Sequence, residues 1–306
     1  MKLRVLLPAV ATAALLQGCF FTGVESTPKI TASEVKRSEV PLTREDTFLA
    51  RVAERPLSMW YEGMPFVVTD ARVSRVFGIE ESEGAALAGR TIRFVEATES
   101  LGVTGSGVTD LIFTTHDGRR LAYRINRPKS TLLTGAALTV PFTIQQDMVE
   151  RVDSLMRGQR LYTLTGLWRS DEDTPQRGLK FVAVSIDSVS SGNSLFPLKV
   201  AFHTADSISG RLFIYPGATD SAPRTFATVF SFSDPWVRYP AVNPEMRESI
   251  SRGEVEPGMT GLECRLALGA PKEVSRGANQ SYLRETWSYE DGHYLLFEDG
   301  VLVYAR

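Results

Sequence analysis

The chain has little of what most chemistry needs. Its 306 residues include three histidines and two cysteines. His116, His203 and His293 stand far apart, each beside an expected turn, and surface hydrogen bonding accounts for them better than a base or metal role. There is no His-Glu-x-x-His, no Cys-x-x-Cys and no Gly-x-Ser-x-Gly, so zinc-protease, thiol-redox and hydrolase signatures are missing. Neither charge sign is in excess: 34 Lys and Arg stand against 36 Asp and Glu, which leaves no basic field for nucleic acid or anionic lipid. No apolar run is long enough to cross a bilayer as a stable helix; Val5 to Leu16 falls short.

Weaker hints of chemistry fade in the same way. Gly102 to Gly107 lacks the Lys-Ser/Thr and following helix of a phosphate loop, so it reads as a hairpin loop. Asp171-Glu172-Asp173 could touch a calcium ion, but a solvated turn is the commoner use of such a triplet. A hydrolase would need two of His116, His203, Asp110 and Asp206 to meet in a cleft. The expectation is a protein without catalytic residues, cofactor or metal.

What is present begins at the N-terminus. Lys2 and Arg4 precede the apolar run, which ends in Leu16-Gln17-Gly18-Cys19. This resembles the lipobox of bacterial lipoproteins. The resemblance implies that residues 1–18 are a signal peptide and that Cys19 becomes the acylated first residue. Each buried methylene of such an anchor adds about 0.8 kcal/mol. Phe20 stands where an inner-membrane retention signal would favour Asp, which implies the outer membrane, with the body facing the periplasm. With Cys19 acylated, Cys264 has no disulfide partner. Residues 19–43, Ser/Thr/Lys/Glu-rich with Pro28 and Pro41, read as a tether.

The body reads as mainly β. Helical spacing over Asp46–Tyr61 is followed by an apparent strand over Gly63–Val73. The same order recurs as a helix over Gln146–Met156 and a strand over Gly158–Trp168. Gly63 then falls on Gly158 and Phe66 on Leu161. Three further strands follow in each half: Thr91–Ala97 matches Leu179–Ser185, Asp110–Thr115 matches Leu198–His203, and Gly118–Tyr123 matches Gly210–Tyr215. The expectation is two tandem small β-barrels or sandwiches over 44–142 and 143–232, closed by a strand over Thr225–Phe232. Pro235, Pro240 and Pro244 mark 233–244 as a linker.

The C-terminal segment, 245–306, is the most legible. Asn243 can cap a helix that opens on Pro244, and Gly253 can end it. Thr260 and Glu263 have capping-box spacing, with Met259 and Cys264 as a hydrophobic staple, and Gly269-Ala-Pro271 is a stop. Asp291-Gly292 and Asp299-Gly300 predict two-residue type I′ turns between strands 285–290, 293–298 and 301–306. That register places Trp287, Tyr289, Tyr294, Leu296, Glu298, Val301, Val303 and Ala305 on a face covering the helices, with Glu298 its only charge. It leaves Leu295, Phe297, Leu302 and Tyr304 as an apolar stripe on the other, available to the β modules or to a partner.

The series Gly253-x-Val-x-x-Gly-Met-Thr, Cys264, Leu-Gly-x-Pro, Trp287-x-Tyr289 and Phe297-x-x-Gly300 resembles the SmpA/OmlA (BamE-like) group of outer-membrane lipoproteins. The resemblance implies a helix–helix–three-strand α+β domain, shared with β-lactamase-inhibitor-like folds, and a place beside the machinery that assembles outer-membrane β-barrels. It covers the C-terminal segment only, and its residues are caps, stops and core. The expected function is a non-catalytic scaffold or protein-recognition component of the cell envelope, with a membrane contact through acylated Cys19 and an envelope protein as partner. The alternative is an inhibitor or small-ligand-binding protein.

Overall fold

Alternation of apolar and polar residues along the strands builds three sheets in the computed structural model, which describes residues 42–102, 105–217, 224–278 and 283–306. The chain is mainly β, and one sheet curls into a half-barrel. In order come α1 (Arg44–Phe48), β1 (Pro65–Val68), α2 (Val73–Phe77), α3 (Glu81–Leu87), β2 (Thr91–Leu101), β3 (Gly107–Thr114), β4 (Arg120–Ile125), α4 (Lys129–Leu133) and β5 (Thr143–Gln145). These strands make an antiparallel sheet in the order β4-β3-β2-β1-β5. Its inner face carries Phe66, Ile92, Phe94, Leu111 and Phe113. Aromatic edges meet there, with Phe66 and Phe113 5.2 Å apart. Edge-to-face geometry lets ring hydrogens meet π faces.

The second sheet follows α5 (Gln146–Met156), β6 (Arg160–Thr163), β7 (Leu167–Arg169), β8 (Pro175–Arg177), β9 (Ala183–Ser191), β10 (Leu198–Thr204), β11 (Ser209–Ile214), α6 (Phe226–Val229) and β12 (Phe230–Ser231). Its order is β12-β6-β9-β10-β11-β7-β8. Helix α5 has the expected bounds and buries Met148, Val149, Val152 and Met156, a stripe of helical period.

The two sheets share more than strand order. Gly63 N–H donates to Phe94 O at 2.7 Å, and Gly158 N–H to Ile186 O at 2.8 Å. Phe94 and Ile186 return bonds to Met64 O and Gln159 O at 2.9 and 3.0 Å. A bulge follows each, shifting register between Phe94 and Glu96 in β2 and between the partners of Ala201 and Phe202 in β9. Both following hairpins close on a threonine: Thr115 Oγ1 accepts Arg119 N–H, and Thr204 Oγ1 accepts Ile208 N–H, each at 3.1 Å. The expected alignment holds in the first strand and slips in the later ones. Thr91 corresponds to Ala183 rather than Leu179, Phe113 to Phe202, and Leu121 to Gly210. The connection between the first and second strands differs in length, which side-by-side reading of short strands could not register.

Several other expectations are corrected. The helix expected over Asp46–Tyr61 is only α1 and a 3-10 turn at Leu57–Met59: α1 ends at Phe48, and Pro56 bars a helix from running through to the turn. The strand expected over Gly158–Trp168 is β6 and β7, which lie apart in the sheet. The closing strand over Thr225–Phe232 is mostly the α6 turn, because Phe226, Val229 and Phe230 enter the core at helical spacing. The boundary at 142/143 also moves. Phe48 packs on Phe226 at 4.7 Å, Glu45 accepts from Ser231 Oγ and Phe232 N–H, and Leu49 and Val52 join the second core. Conversely β5 belongs to the first sheet, pairing with β1. Each module therefore holds a piece of chain expected in the other.

The third sheet follows α7 (Arg247–Arg252) and α8 (Gly261–Leu268). Its strands are β13 (Glu273–Ala278), β14 (Leu283–Ser288), β15 (Tyr294–Glu298) and β16 (Val301–Ala305), one more than expected. The caps form as read. Thr260 Oγ1 accepts Glu263 N–H, and the buried Glu263 carboxylate accepts from Thr260 N–H and Asn243 N–H at 2.7 and 2.8 Å. Asn243 caps a 3-10 turn at Pro244–Met246 that leads into α7. Met259 and Cys264, the expected staple pair, are both fully buried in the third core, and burial pushes the Cys264 thiol up to about 12. The linker is no linker: it holds a 3-10 turn at Pro235–Arg238, and Val242, Trp236 and Tyr239 pack in the third core.

One turn reverses the expected faces. At Asp299-Gly300 both residues have positive φ, as type I′ requires. At Asp291-Gly292 only Gly292 does, and Tyr289 N–H bonds His293 O across a longer loop. Trp287 therefore pairs with Leu295 rather than Leu296, a slip of one residue that turns every side chain of β15 over. Trp287, Leu295, Phe297 and Leu302 line the core together, with Trp287 and Phe297 rings 4.6 Å apart. Each such burial contributes about 1.5–3 kcal/mol.

Candidate functional site

Cys19, the expected lipidation residue, lies outside the described residues. The expected partner stripe does not form. Leu295, Phe297 and Leu302 are fully buried beneath the helices of their own module, while Tyr304 is half exposed. A second bulge, between the partners of Leu296 and Phe297, pairs Tyr304 with Leu296 and sends it to the outer face.

His203, His293, Asp110, Asp171 and Asp173 find local partners. His203 Nδ1 lies 2.7 Å from Asp187 Oδ1, and His293 Nδ1 lies 2.9 Å from Asp291 Oδ2, both pairs exposed. Asp110 is gripped by the Arg124 guanidinium through two bonds of 2.8 Å, which holds its carboxyl below the usual range. Asp171 and Asp173 face Arg211, and Asp173 also faces Lys199, so side-chain cations stand where a metal ion would. Among the described residues no three His, Cys, Asp or Glu side chains gather as a metal site. No helix among them is long and apolar enough to cross a membrane.

The chain instead builds a cleft between the first two sheets. It starts where the chain leaves one core for the other. Leu49 and Val52 are buried in the second core and Leu57 in the first, so residues 53–56 must bridge. The bridge is fixed by side chains from the start of α5. Buried Gln145 accepts Arg55 N–H at 2.6 Å and donates to Arg55 O at 3.1 Å, imitating a strand partner. Asp147 takes the Arg55 guanidinium at 3.1 Å and the Tyr61 hydroxyl at 3.0 Å. Arg151 donates to Ala53 O at 2.7 Å. Bonds from a charged group to a neutral partner contribute about 1.5–3 kcal/mol each.

Over this bridge opens a cavity of about 550 Å³. One wall is Ala50, Val52 and Ala53; the second is the approach to β5, with Thr139, Phe142 and Ile144; the third includes Met148, Pro197 and Pro216. Among the described residues Glu54 is the one acidic or basic side chain lining it. The Thr139 hydroxyl donates to Glu54, and burial raises its carboxyl above the usual range, outweighing that bond. Phe142 forms part of the wall with φ of 60°, a region costly for a bulky side chain, and its ring lies 4.8 Å from the Arg72 guanidinium. A concave, largely apolar space with one polar anchor is the usual form of a small-ligand site. No sequence signal marks it, since its walls come from segments as far apart as Ala50 and Gly217.

A second junction joins the third sheet to the second. Lys180 Nζ donates to Leu266 O at 2.6 Å and to Ala267 O, the carbonyls at the negative end of α8. Arg177 donates to Gly253 O at 2.8 Å, and the Phe181 ring meets Trp236 at 5.1 Å. Burial, with Arg177 nearby, brings the Lys180 ammonium down to about 8.

No protein-family model matches the chain and no curated protein matches it in sequence, so its likeness to the SmpA/OmlA group rests on the motif residues quoted above.

Proposed function

We propose that this chain is a non-catalytic recognition and scaffold protein of the bacterial cell envelope, anchored to the outer membrane through acylated Cys19 and facing the periplasm. The observation that carries the recognition part is the inter-sheet cleft: it has binding geometry, with Glu54 as the one acidic or basic side chain among the described residues of a largely apolar wall. In this reading the two β modules are the recognition body. The third module, BamE-like in its capped helices and its Trp287/Phe297 core, braces them through Lys180 and Phe181.

Anchorage is tested by growth with an alkyne-tagged fatty acid and membrane fractionation. The full chain should be labelled and sediment with outer membranes, and Cys19→Ser should do neither. Label retained by Cys19→Ser, or wild type in the soluble fraction, would contradict the anchor. Recognition is tested by purification of the cross-linked full chain from solubilised outer membranes, where recovery of the chain alone would count against a stoichiometric envelope partner.

The same cleft favours the small-ligand form of recognition. The inhibitor form, using an exposed aromatic sheet face around Phe297, loses its support because Phe297 is buried.

A further inference from the structure

We propose that the cleft between the first two sheets binds a small molecule with an apolar body and a single protonated amine, the amine meeting Glu54 and the body lying against Phe142, Ile144, Met148 and Pro197. This goes beyond envelope recognition and does not depend on the lipid anchor.

The charge sign comes from the bookkeeping of partners. Glu54 pairs with no cation among the described residues, although arginines lie close by in sequence and space. Arg55 is turned to Asp147, Arg72 is held by Asp70 through bonds of 2.9 and 2.7 Å, and Arg151 is committed to Ala53 O. Among the described residues its donors are the Thr139 hydroxyl and the Gln145 backbone N–H, both neutral. A carboxylate so placed lacks a counter-charge. An ammonium supplies both the charge and directed N–H donors, whereas an anion would be repelled and an uncharged apolar molecule would leave the carboxylate as it is.

The size and rigidity of the walls favour a small molecule. About 550 Å³ is within the range of drug-sized ligand sites. The rim is set before anything binds. Asn193 Oδ1 accepts the N–H groups of Leu195 and Phe196 at 3.0 and 2.8 Å, and Gly192 N–H bonds Pro197 O at 2.9 Å, fixing the β9–β10 loop. On the facing wall the backbone of Phe142 is held in its left-handed conformation by Thr69 N–H donating to Phe142 O at 2.9 Å. Walls ordered in advance lower the entropic cost of binding.

The test uses three probes of one shape, 4-phenylbutylamine, 4-phenylbutanol and 4-phenylbutyrate, titrated calorimetrically into the full chain. At about pH 8 the amine probe is protonated and the butyrate probe is ionised. The amine should bind at least about tenfold more tightly than the alcohol, since a charge-assisted bond replaces a neutral one. The carboxylate should bind most weakly. Glu54→Gln, which keeps the shape and a hydrogen-bond acceptor for Thr139, should erase the preference for the amine and leave the alcohol unchanged. Ala137→Trp, at the exposed rim, should weaken all three, and an unchanged melting temperature would show that it folds. Equal binding of the three probes, binding of none, an amine preference that survives Glu54→Gln, or indifference to Ala137→Trp would each overturn the proposal.

Discussion

The first two sheets differ in one place, and that place decides what each can hold. Both have a strand, an insertion, a bulged three-strand meander and a returning strand at the same edge. In the first the insertion is α2–α3, crossing so closely that a Cβ on Gly84 would lie 2.3 Å from Ala71 O. In the second it is β7–β8, which extends the sheet beyond β11. The core compensates at one equivalent pair. Leu121 fills the first core, while its counterpart Gly210 leaves space that Trp168 of β7 occupies. A Cβ at Gly210 would come within 2.7 Å of the Trp168 ring. The shared register is thus a frame, and the insertion supplies either a self-contained lid or a docking edge.

The same contrast recurs at the end of the insertion. Gly89 and Phe181 occupy equivalent left-handed positions, with φ of 77° and 60°. Each donates its N–H to the matching β1 or β6 carbonyl, Val68 O or Thr163 O. Glycine takes that conformation freely, whereas phenylalanine there is strained. The second module accepts the strain, and its ring is what packs against Trp236 of the third module.

The largest effect should come from exchanging the two core solutions. Trp168→Ala should destabilise by about 3–5 kcal/mol in urea unfolding, as large aromatic truncations do. Adding Gly210→Leu should recover part of that loss if the Phe202 ring, 2.9 Å from the added Cβ, shifts into the space Trp168 leaves, although Gly210→Leu alone is harmful because it meets both rings. Additive losses in the double variant would break the equivalence of Leu121 and Gly210.

A smaller effect separates the docking edge from the frame. Lys180→Met leaves the last carbonyls of α8 without their donor and should cost about 1–3 kcal/mol. Faster hydrogen exchange should appear in 245–306 and not in the first sheet. Its pH dependence has a definite sign. The folded ammonium titrates near 8 against an ordinary 10.5. The unfolded chain therefore binds more protons in that window, and this group makes stability rise with pH between those values. Subtracting the Lys180→Met profile from wild type should isolate the rise; a difference flat across the window would contradict it.

The smallest effects test the paired backbone positions. Gly89→Ala should cost about 1–2 kcal/mol, because a Cβ is introduced at positive φ with space around it. Phe181→Gly removes strain together with a docking ring, so global stability should change less than local exchange in 245–306. Equal loosening of all three sheets in Phe181→Gly would show that the ring is ordinary core.

Much of this frame was legible because it is written locally. The α5 stripe, the Thr260/Glu263 box and the Asp299-Gly300 turn each lie within a few residues, and each forms as read. What failed depended on a single residue of register or on distant chain. Asp291-Gly292 carries the same dipeptide as Asp299-Gly300, yet Tyr289 bonds across it to His293 and the faces reverse. Phe226, Val229 and Phe230 satisfy helical and strand patterns alike in so short a span, and burial against Phe48 selects the helix. Glu54 gives no local sign at all. Its setting arises only when Thr139 and the start of α5, some 90 residues on, close over residues 53–56.

The central claim is that recognition belongs to the cleft between the first two sheets and not to the C-terminal sheet. Hydrogen exchange on the full chain, with and without 4-phenylbutylamine, tests it most directly. The account predicts added protection in residues 50–56, 137–145 and 192–198, with 283–306 unchanged. Protection confined to 283–306 would contradict it.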